Sequence, residues 1–270
     1  MPFPKPTADS TAIVTGSSSG IGEEIARELA RRGYGLSLVA RSADKLENLA
    51  SELRSPGVRV EVLETDLSDR SARAGLLARV ADLGLTPDIL VNNAGFSTLG
   101  RVAESDPVEE MAMIEVDVVC VADLCSRVLP GMVERRRGGI LNVASTAAFQ
   151  PLPGQAGYGA SKAFVVSYTH SLRGELRGTG VSATVLCPGP VRTGFGEAAG
   201  FTKEESEGAL PGFMWETPQA VAKTGVDALL KGRSVAIPGL ANRAGAMIGY
   251  VTPRRFLLPV LASKHPGMRR

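Results

Sequence analysis

Three side chains of this sequence have the types and the spacing to move a proton at a bound ligand. Tyr158 and Lys162 stand four residues apart, which places a phenol and an ammonium group on the same face of a helix. A tyrosine and a lysine at this spacing occur by chance in many helices. Ser145 strengthens the pattern, because it lies at the end of a predicted strand, where the carboxyl edge of a parallel sheet meets its ligand. These residues form the predicted chemical end of a binding site.

A glycine-rich turn between the first predicted strand and the first predicted helix is suited to a phosphate group. Its glycines let the backbone turn sharply and approach a pyrophosphate at the positive N-terminal end of the helix. The spacing G-x-x-x-G-x-G departs from the common G-x-G-x-x-G, but the turn has the strand-to-helix context that the mechanism requires. The predicted contacts are Gly16, Ser18, Ser19, Gly20, Ile21 and Gly22.

The end of the second predicted strand indicates which dinucleotide binds. A carboxylate near this point would accept the ribose 2′ hydroxyl of NAD and repel a 2′ phosphate. Ala40 takes that place and Arg41 follows, whose guanidinium offers planar, charge-assisted hydrogen bonds to a phosphate. NADP(H) is therefore the predicted cofactor, and a solvated surface arginine is the alternative interpretation.

An alternation of strands and helices would position these residues. Seven short aliphatic or β-branched runs predict buried strands, and amphipathic helical patterns lie between them. Such alternation implies right-handed crossovers and a parallel sheet covered on both faces. We predict one α/β domain, a doubly wound Rossmann fold with a seven-stranded parallel sheet. The predicted strands are residues 11–15, 36–40, 58–63, 88–92, 139–144, 181–186 and 234–237.

The remaining segments complete the domain organisation. Residues 1–10 are expected to form a flexible tail, and residues 11–240 the catalytic domain. Residues 187–217, with the only tryptophan, predict a substrate loop or lid, or else a surface excursion anchored by its aromatic residues. Residues 241–270 are apolar and basic, and no acidic residue follows Asp227. We expect this extension to pack on the domain or on an oligomer partner, and contact with an anionic membrane surface is the less favoured alternative.

Composition excludes several other classes of protein. The 270 residues are 44% hydrophobic and 21% charged, as in an ordinary globular protein, and a formal net charge of +2 gives no indication of a nucleic-acid partner. Three cysteines without CxxC spacing and two distant histidines support neither a disulfide scaffold nor a metal site. This use of cysteine predicts a reducing compartment. Residues 1–10 lack the apolar run of a secretory signal, and we expect a cytoplasmic location.

Taken together, the motifs resemble the short-chain dehydrogenase/reductase family over about residues 10–240. They are the TGxxxGxG turn at 15–22, Asp66 with Leu67, the NNAG run at 92–95, Ser145, Tyr158 with Lys162, and the Pro-Gly pair at 188–189. Their joint order and spacing are specific, although each alone is common. The resemblance implies an NADP(H)-dependent oxidoreductase that interconverts a ketone or aldehyde and an alcohol by hydride transfer. The apolar loop favours a small-molecule substrate with a hydrophobic body, such as an acyl chain or a bulky ketone.

The resemblance also implies a role for each residue. Tyr158 would be the general acid in carbonyl reduction and the base in alcohol oxidation, assisted by the charge of Lys162, which in the family also holds the nicotinamide ribose. Ser145 would hydrogen-bond the substrate oxygen and stabilise the charge that develops there. Asp66 resembles the residue near the adenine, and Thr193 the residue that contacts the nicotinamide amide. The other implied cofactor contacts are Leu67, Asn93, Ala94, Gly95, Pro188, Gly189 and Val191.

Asp117 departs from the family pattern at a position that matters for proton transfer. The family usually carries an asparagine there, which supports a water-mediated proton path to the lysine. A carboxylate could still accept hydrogen bonds from that water, but its negative charge near Lys162 would partly offset the effect of the lysine on Tyr158. We therefore include Asp117 among the candidate catalytic residues, but the sequence supports hydride transfer more directly than a proton relay through this position, and Asp117→Asn is expected to retain or increase turnover.

Two further expectations concern activity and assembly. The intact Ser145, Tyr158 and Lys162 favour an enzyme over the alternative of a catalytically weak nucleotide-binding regulatory protein that retains the fold. The two long helices predicted around Cys120 and Lys162 carry an excess of apolar residues. Because the family often forms tetramers through the equivalent helices, a homo-oligomer, either a dimer or a tetramer, is expected.

Overall fold

The computed structural model describes residues 5–54, 57–202, 204–205 and 211–268. Three of the expected segments extend beyond them. Residues 1–4 of the expected tail, residues 203 and 206–210 of the expected loop, and residues 269–270 of the expected extension lie outside the described residues.

Seven strands form one sheet in the order β3-β2-β1-β4-β5-β6-β7, and all neighbouring pairs are parallel, as predicted. Each strand begins and ends within two residues of its predicted bounds. The order changes direction between β1 and β4, and in open α/β sheets ligands bind at such a switch point, beyond the carboxyl ends of the strands. The strands are β1 (Ser10–Thr15), β2 (Gly35–Ala40), β3 (Val60–Glu64), β4 (Thr86–Asn92), β5 (Gly138–Val143), β6 (Val181–Leu186) and β7 (Val235–Ala236).

Helices lie between and beyond the strands. They are α1 (Gly20–Ala30), α2 (Ala43–Leu53), α3 (Arg70–Ala74), α4 (Leu76–Asp82), α5 (Pro107–Ile114), α6 (Cys120–Glu134), α7 (Ala156–Glu175), α8 (Phe195–Ala198), α9 (Pro218–Leu230), α10 (Leu240–Val251) and α11 (Arg254–Lys264). A π-helical turn (Glu115–Val119) joins α5 to α6. Short 3-10 turns lie at Val102–Glu104, Thr146–Phe149, Gly212–Met214 and Pro266–Met268.

Strand β1 illustrates how helices cover the sheet on both faces. Val14 belongs to a buried cluster that includes Ile25 of α1, whereas Ile13 belongs to a second cluster with Leu124 of α6 and Val165 of α7. Neighbouring strand residues point to opposite faces, so each face needs its own layer of helices. Truncating a fully buried leucine or isoleucine to alanine costs about 2–5 kcal/mol. The two clusters therefore hold the strand ends in fixed positions around the site.

The C-terminal extension begins with α10, which faces the domain with small or polar residues. Asn242, Ala246 and Gly249 are its buried positions. After α11 the chain returns to the domain, where Arg101 Nη2 donates a hydrogen bond to the Met268 carbonyl oxygen at 3.2 Å. Among the described residues, no helix has both the length and the apolar character that crossing a bilayer requires.

Candidate active site

The glycine turn after β1 needs glycine for both its backbone shape and its close contacts. Gly16 and Gly20 have φ angles of 66° and 60°, in the left-handed region that favours glycine. A Cβ atom at Gly16 would lie 2.8 Å from the Ala94 Cα atom, and one at Gly22 would overlap the Asn93 side chain. The turn is thus packed directly against the chain that follows β4.

Asn93 and Thr15 hold this packing together. The Thr15 hydroxyl accepts hydrogen bonds from the backbone N–H groups of Asn93 at 2.9 Å and Ala94 at 3.0 Å. In return, the Asn93 side chain donates to the carbonyl oxygens of Thr15 at 3.0 Å and Gly16 at 3.2 Å. Asn93 therefore fixes the shape of the glycine turn as well as lining the space beside it.

The turn has the features expected of an anion site at the start of α1. The side chain of Ser19, the residue before the helix, makes no capping hydrogen bond. The Ser17 hydroxyl is fully buried and has no hydrogen-bond partner among the described residues. The Thr193 side chain lies on the other side, 3.3 Å from the position of a Cβ atom on Gly20. Free donors at a helix N-terminus fit the pyrophosphate of a dinucleotide. Sequence reasoning missed Ser17, because nothing in a run of three serines shows which one is buried.

Arg41 and Asp66 lie just beyond the ends of two neighbouring strands, β2 and β3. Asp66 Oδ1 accepts hydrogen bonds from the Ser68 hydroxyl at 2.7 Å and the Ser68 N–H at 2.9 Å. These bonds lower the pKa of Asp66, and the charge of Arg41 contributes to the same shift. Leu67 is buried, and its carbonyl oxygen accepts a hydrogen bond from Arg73 at 2.7 Å. This edge of the sheet therefore carries one acidic and one basic group near each other.

Ser145, Tyr158 and Lys162 come together, as their positions in the sequence predict. Ser145 follows β5, and its hydroxyl accepts a hydrogen bond from the Ala147 N–H at 3.1 Å. Tyr158 and Lys162 lie on α7, with the lysine Nζ atom 5.5 Å from the centre of the phenol ring. The Ser145 hydroxyl lies close enough to the Tyr158 phenol to lower the pKa of Tyr158. The three groups thus meet at the carboxyl edge of the sheet.

Asp117 forms a buried ion pair with Lys162. Its Oδ2 atom lies 2.9 Å from Lys162 Nζ, and its Oδ1 atom accepts a hydrogen bond from the Phe96 N–H at 3.1 Å. The carboxylate is completely buried and lies on the π-helical turn between α5 and α6. A Cβ atom on Gly95 would lie 2.7 Å from Asp117 Oδ1, so glycine is needed for this close approach.

This ion pair controls the electrostatics of the site. Burial raises the pKa of Asp117, and the nearby Lys162 charge opposes that change. Burial also disfavours the charge on Lys162, but attraction to Asp117 and Tyr158 outweighs it, so the pKa of Lys162 is raised. The pKa of Tyr158 is raised by burial, lowered by Lys162 and raised again by Asp117. Asp117 thus keeps Lys162 charged and at the same time weakens the effect of that charge on the phenol.

The chain after β6 encloses the site from the other side. The Pro188 carbonyl oxygen accepts a hydrogen bond from the Thr146 N–H at 2.8 Å, next to Ser145. Val191 pairs with Glu216 in an isolated parallel bridge. Gly189 packs so closely on Asn242 that a Cβ atom would overlap the Asn242 side chain. The α10 helix therefore supports the backbone of this predicted cofactor segment, a contact that the sequence did not indicate.

Aromatic and polar side chains make two further sets of contacts, one at Tyr158 and one at His265. The Phe195 ring lies 5.8 Å from the Tyr158 ring, and the Phe201 ring lies 6.1 Å from the imidazole of His265. His265 Nε2 is 3.1 Å from Gln155 Oε1, and Gln155 Nε2 donates to the Ser97 hydroxyl at 2.6 Å. Sequence reasoning missed Gln155 and His265, because no pattern links residues so far apart in the chain.

Metal ligation and thiol chemistry have no support in the described part of the chain. No group of three or more His, Cys, Asp or Glu residues there could hold a metal ion. Cys120, Cys125 and Cys187 are buried, and burial raises the pKa of each thiol to about 12. A buried thiol with a raised pKa is a poor nucleophile, so these positions give no support to thiol chemistry.

Comparisons with known proteins agree with this geometry. A profile described as "short chain dehydrogenase" matches residues 10–203. The chain belongs to the short-chain dehydrogenase family. An uncharacterized oxidoreductase of Myxococcus xanthus is 39% identical over 186 residues, which cover 68% of this chain and 72% of that protein. The protein is therefore an oxidoreductase that uses a nicotinamide dinucleotide.

Solved structures of short-chain dehydrogenases share the whole architecture. One from Sphingobium yanoikuyae, in complex with NADPH, has a TM-score of 0.78 and 31% identity, with 93% of this chain and 95% of that chain covered. The bulky-bulky ketone specific alcohol dehydrogenase from Comamonas testosteroni has a TM-score of 0.75 and 27% identity, with 97% of this chain and 99% of that chain covered. The similarity to these two structures therefore covers nearly the whole chain.

Proposed function

We propose that this enzyme is an NADP(H)-dependent carbonyl reductase that acts on hydrophobic ketones or aldehydes. The observation that carries the proposal is the convergence of the Ser145 hydroxyl, the Tyr158 phenol and the Lys162 ammonium group, with the Phe195 ring 5.8 Å from the Tyr158 ring. A proton donor beside an aromatic side chain suits a substrate in which a carbonyl group is attached to apolar groups.

The cofactor supplies the hydride, and each protein group has a separate task. The Ser145 hydroxyl donates a hydrogen bond to the carbonyl oxygen and stabilises the negative charge that develops there. The Tyr158 hydroxyl donates its proton to that oxygen and becomes a phenolate. Lys162 stabilises the phenolate, and Asp117, 2.9 Å from Lys162 Nζ, holds the ammonium group in place. The same groups catalyse the reverse reaction, the oxidation of an alcohol. The supply of NADPH in cells favours the direction of reduction.

The preference for NADP(H) rests on Arg41. Its side chain is exposed at the end of β2 and has no hydrogen-bond or ion-pair partner within the described ranges, which leaves it available to a 2′ phosphate. The complex of the Sphingobium yanoikuyae relative with NADPH supports this assignment.

The substrate class rests on the side chains around Tyr158. Phe195, on the chain that follows β6, provides apolar surface 5.8 Å from the Tyr158 ring. The Comamonas testosteroni relative is described as specific for bulky-bulky ketones, which supports a ketone with apolar groups on both sides of the carbonyl. An acyl chain or another bulky ketone fits this description.

A kinetic comparison of NADPH and NADH tests the proposal. The wild-type protein is expected to consume NADPH with a graded panel of ketones, faster on large apolar ones than on small polar ones. Arg41→Ala is expected to raise KM for NADPH about tenfold to a hundredfold, the loss of one or two charge-assisted hydrogen bonds, and to leave KM for NADH unchanged. Arg177→Ala, an exposed arginine beyond the end of α7, is the control. NADPH binding without turnover of any ketone would favour a nucleotide-binding regulatory protein instead.

We also infer a homo-oligomer in a reducing compartment such as the cytoplasm. Leu129 and Val133 of α6 line a groove with Tyr168 and Leu172 of α7, and Phe164 is 38% exposed on the same helix. These apolar side chains support packing against a second subunit. The three cysteines are free and buried, which fits a reducing environment. Light scattering, with Val133→Asp as the disrupting variant, measures the subunit number.

A further inference from the structure

Helices α10 and α11 expose apolar side chains on a scale that no other part of the described chain approaches. Eight of the sixteen large hydrophobic residues that are exposed among the described residues lie between positions 240 and 260. These eight side chains are called the C-terminal apolar face. They are Leu240, Met247, Ile248, Tyr250, Val251, Phe256, Leu258 and Val260.

The orientation of α10 is the reverse of that of an ordinary surface helix. Asn242, Ala246 and Gly249 face the domain, so the buried side of the helix consists of small or polar residues. Leu240, Met247 and Val251 face outward, with exposed fractions of 81%, 63% and 64%. A helix at the surface of a protein normally buries its large apolar side and exposes its polar side. This arrangement indicates that an apolar phase or a partner covers the outer side.

The charges beside the C-terminal apolar face are all positive. Residues 240–264 contain four basic residues and no acidic residue. Arg243, Arg254 and Arg255 are exposed, and Arg255 lies over the ring of Phe256, with its guanidinium carbon 4.6 Å from the ring centre. Basic residues beside exposed aliphatic and aromatic side chains match the anionic headgroups and acyl chains of a lipid surface.

A second copy of the chain matches this charge pattern less well. In a symmetric dimer the same patch of each subunit meets its copy, so the arginines would face arginines. No carboxylate within residues 240–264 is available to pair with them. Anionic lipid headgroups supply the opposite charge that a second copy lacks.

Helix length determines how a membrane would be contacted. The helices α10 and α11 have 12 and 11 residues, whereas a bilayer-spanning helix needs about 20. Each can lie along the interface, with its outer side among the acyl chains. We propose that the C-terminal apolar face binds the surface of an anionic membrane and holds the enzyme there without spanning it. This proposal does not depend on the reaction that the enzyme catalyses.

Co-sedimentation of the full-length protein with lipid vesicles tests the proposal. The wild type is expected to bind vesicles of phosphatidylglycerol and phosphatidylcholine more tightly than vesicles of phosphatidylcholine alone, and added salt is expected to weaken the binding. Met247→Ser with Val251→Ser removes two outward-facing apolar side chains and is expected to weaken binding about tenfold or more. Arg255→Gln is expected to weaken binding to the anionic vesicles about fivefold.

A matched control separates the C-terminal apolar face from exposed apolar surface in general. Met111→Ser with Val102→Ser changes the same residue types at nearly the same exposure, 61% for both, but away from α10 and α11. This control is expected to bind vesicles like the wild type. All four side chains are exposed, so both double variants should keep the wild-type unfolding temperature.

Three outcomes would overturn the proposal. The first is binding to anionic vesicles that is no stronger than binding to phosphatidylcholine alone. The second is an equal loss of vesicle binding in the control double variant. The third is that the wild type does not bind vesicles and that Met247→Ser with Val251→Ser lowers the mass measured by light scattering. A second copy of the chain would then cover the C-terminal apolar face.

Discussion

Replacing Asp117 with asparagine should lower the pKa of Tyr158. Lys162 Nζ lies 2.9 Å from the Asp117 carboxylate and 5.5 Å from the centre of the Tyr158 ring, so the carboxylate lies within about 8 Å of the ring. At an effective dielectric constant of about 20, two unit charges about 8 Å apart interact by about 2 kcal/mol, or about 1.5 pKa units. Asparagine is similar in size and keeps an oxygen for the Lys162 ammonium group, but it removes the charge that opposes the phenolate.

The pH dependence of alcohol oxidation measures this change. Oxidation needs the phenolate of Tyr158 as the base, so the rising limb of kcat/KM follows the pKa of Tyr158 in the free enzyme. In Asp117→Asn this limb is expected to move about 1.5 pH units lower, with turnover retained or increased near neutral pH. An ultraviolet titration of tyrosinate, with Tyr158→Phe as the blank, measures the same pKa without a substrate. Asp227→Asn, which removes a carboxylate far from the site, should leave both curves unchanged.

The opposite shift would refute this reasoning. A pKa of Tyr158 that rises in Asp117→Asn would mean that Lys162 has lost its proton, since burial alone disfavours the ammonium form. A collapse of the rate with normal NADPH affinity and an unchanged pKa would show that the carboxylate itself takes part in proton relay.

Two other predictions concern the cofactor turn and the C-terminal turn. Gly22→Ala should abolish NADPH binding, measured by fluorescence titration, because its Cβ atom would overlap the Asn93 side chain and the Gly16 carbonyl group. The control Gly174→Ala, at a position with open space around it, should bind NADPH normally. Normal NADPH binding by Gly22→Ala would contradict the tight packing. Burial lowers the pKa of His265, so the unfolded state takes up a proton first as the pH falls through about 6.5, and the stability associated with neutral His265 is lost in that range. When the pH is lowered from about 7.5 to about 5.5, the unfolding temperature of His265→Asn should therefore fall less than that of the wild type. An equal fall in both proteins would show that the pKa of His265 is the same in the folded and unfolded states.

Local patterns were sufficient to predict the sheet. Each strand is a short run of β-branched or aliphatic residues, such as Val181–Leu186, and a parallel strand buried on both faces needs that composition along its length. The meeting of Ser145 with Tyr158 and Lys162 follows from topology, since β5 ends at the sheet edge and α7 starts from the same edge. These features depend on residues that are near each other in the chain or placed by the order of the strands.

The remaining features depend on contacts that no local pattern encodes. The π-helical turn that carries Asp117 has no distinct composition, and its approach to Phe96 requires the absence of a side chain at Gly95. The contact between His265 and Gln155 joins residues 110 positions apart. The outward orientation of α10 likewise could not be predicted from the sequence. The spacing of its apolar residues indicates a helix but does not show which side of that helix contacts the domain.

The most direct test of the central claim is the rate of NADPH consumption with a large apolar ketone, compared between Tyr158→Phe and Tyr168→Phe. Both tyrosines lie on α7, and only the hydroxyl of Tyr158 meets Ser145, whereas that of Tyr168 donates to the Ala122 carbonyl oxygen at 3.5 Å. Loss of a general acid costs about 10²–10⁴-fold in rate. We predict a fall of at least about a hundredfold in Tyr158→Phe with unchanged NADPH affinity, and a near-wild-type rate in Tyr168→Phe. A Tyr158→Phe rate close to that of the wild type would contradict proton donation by Tyr158.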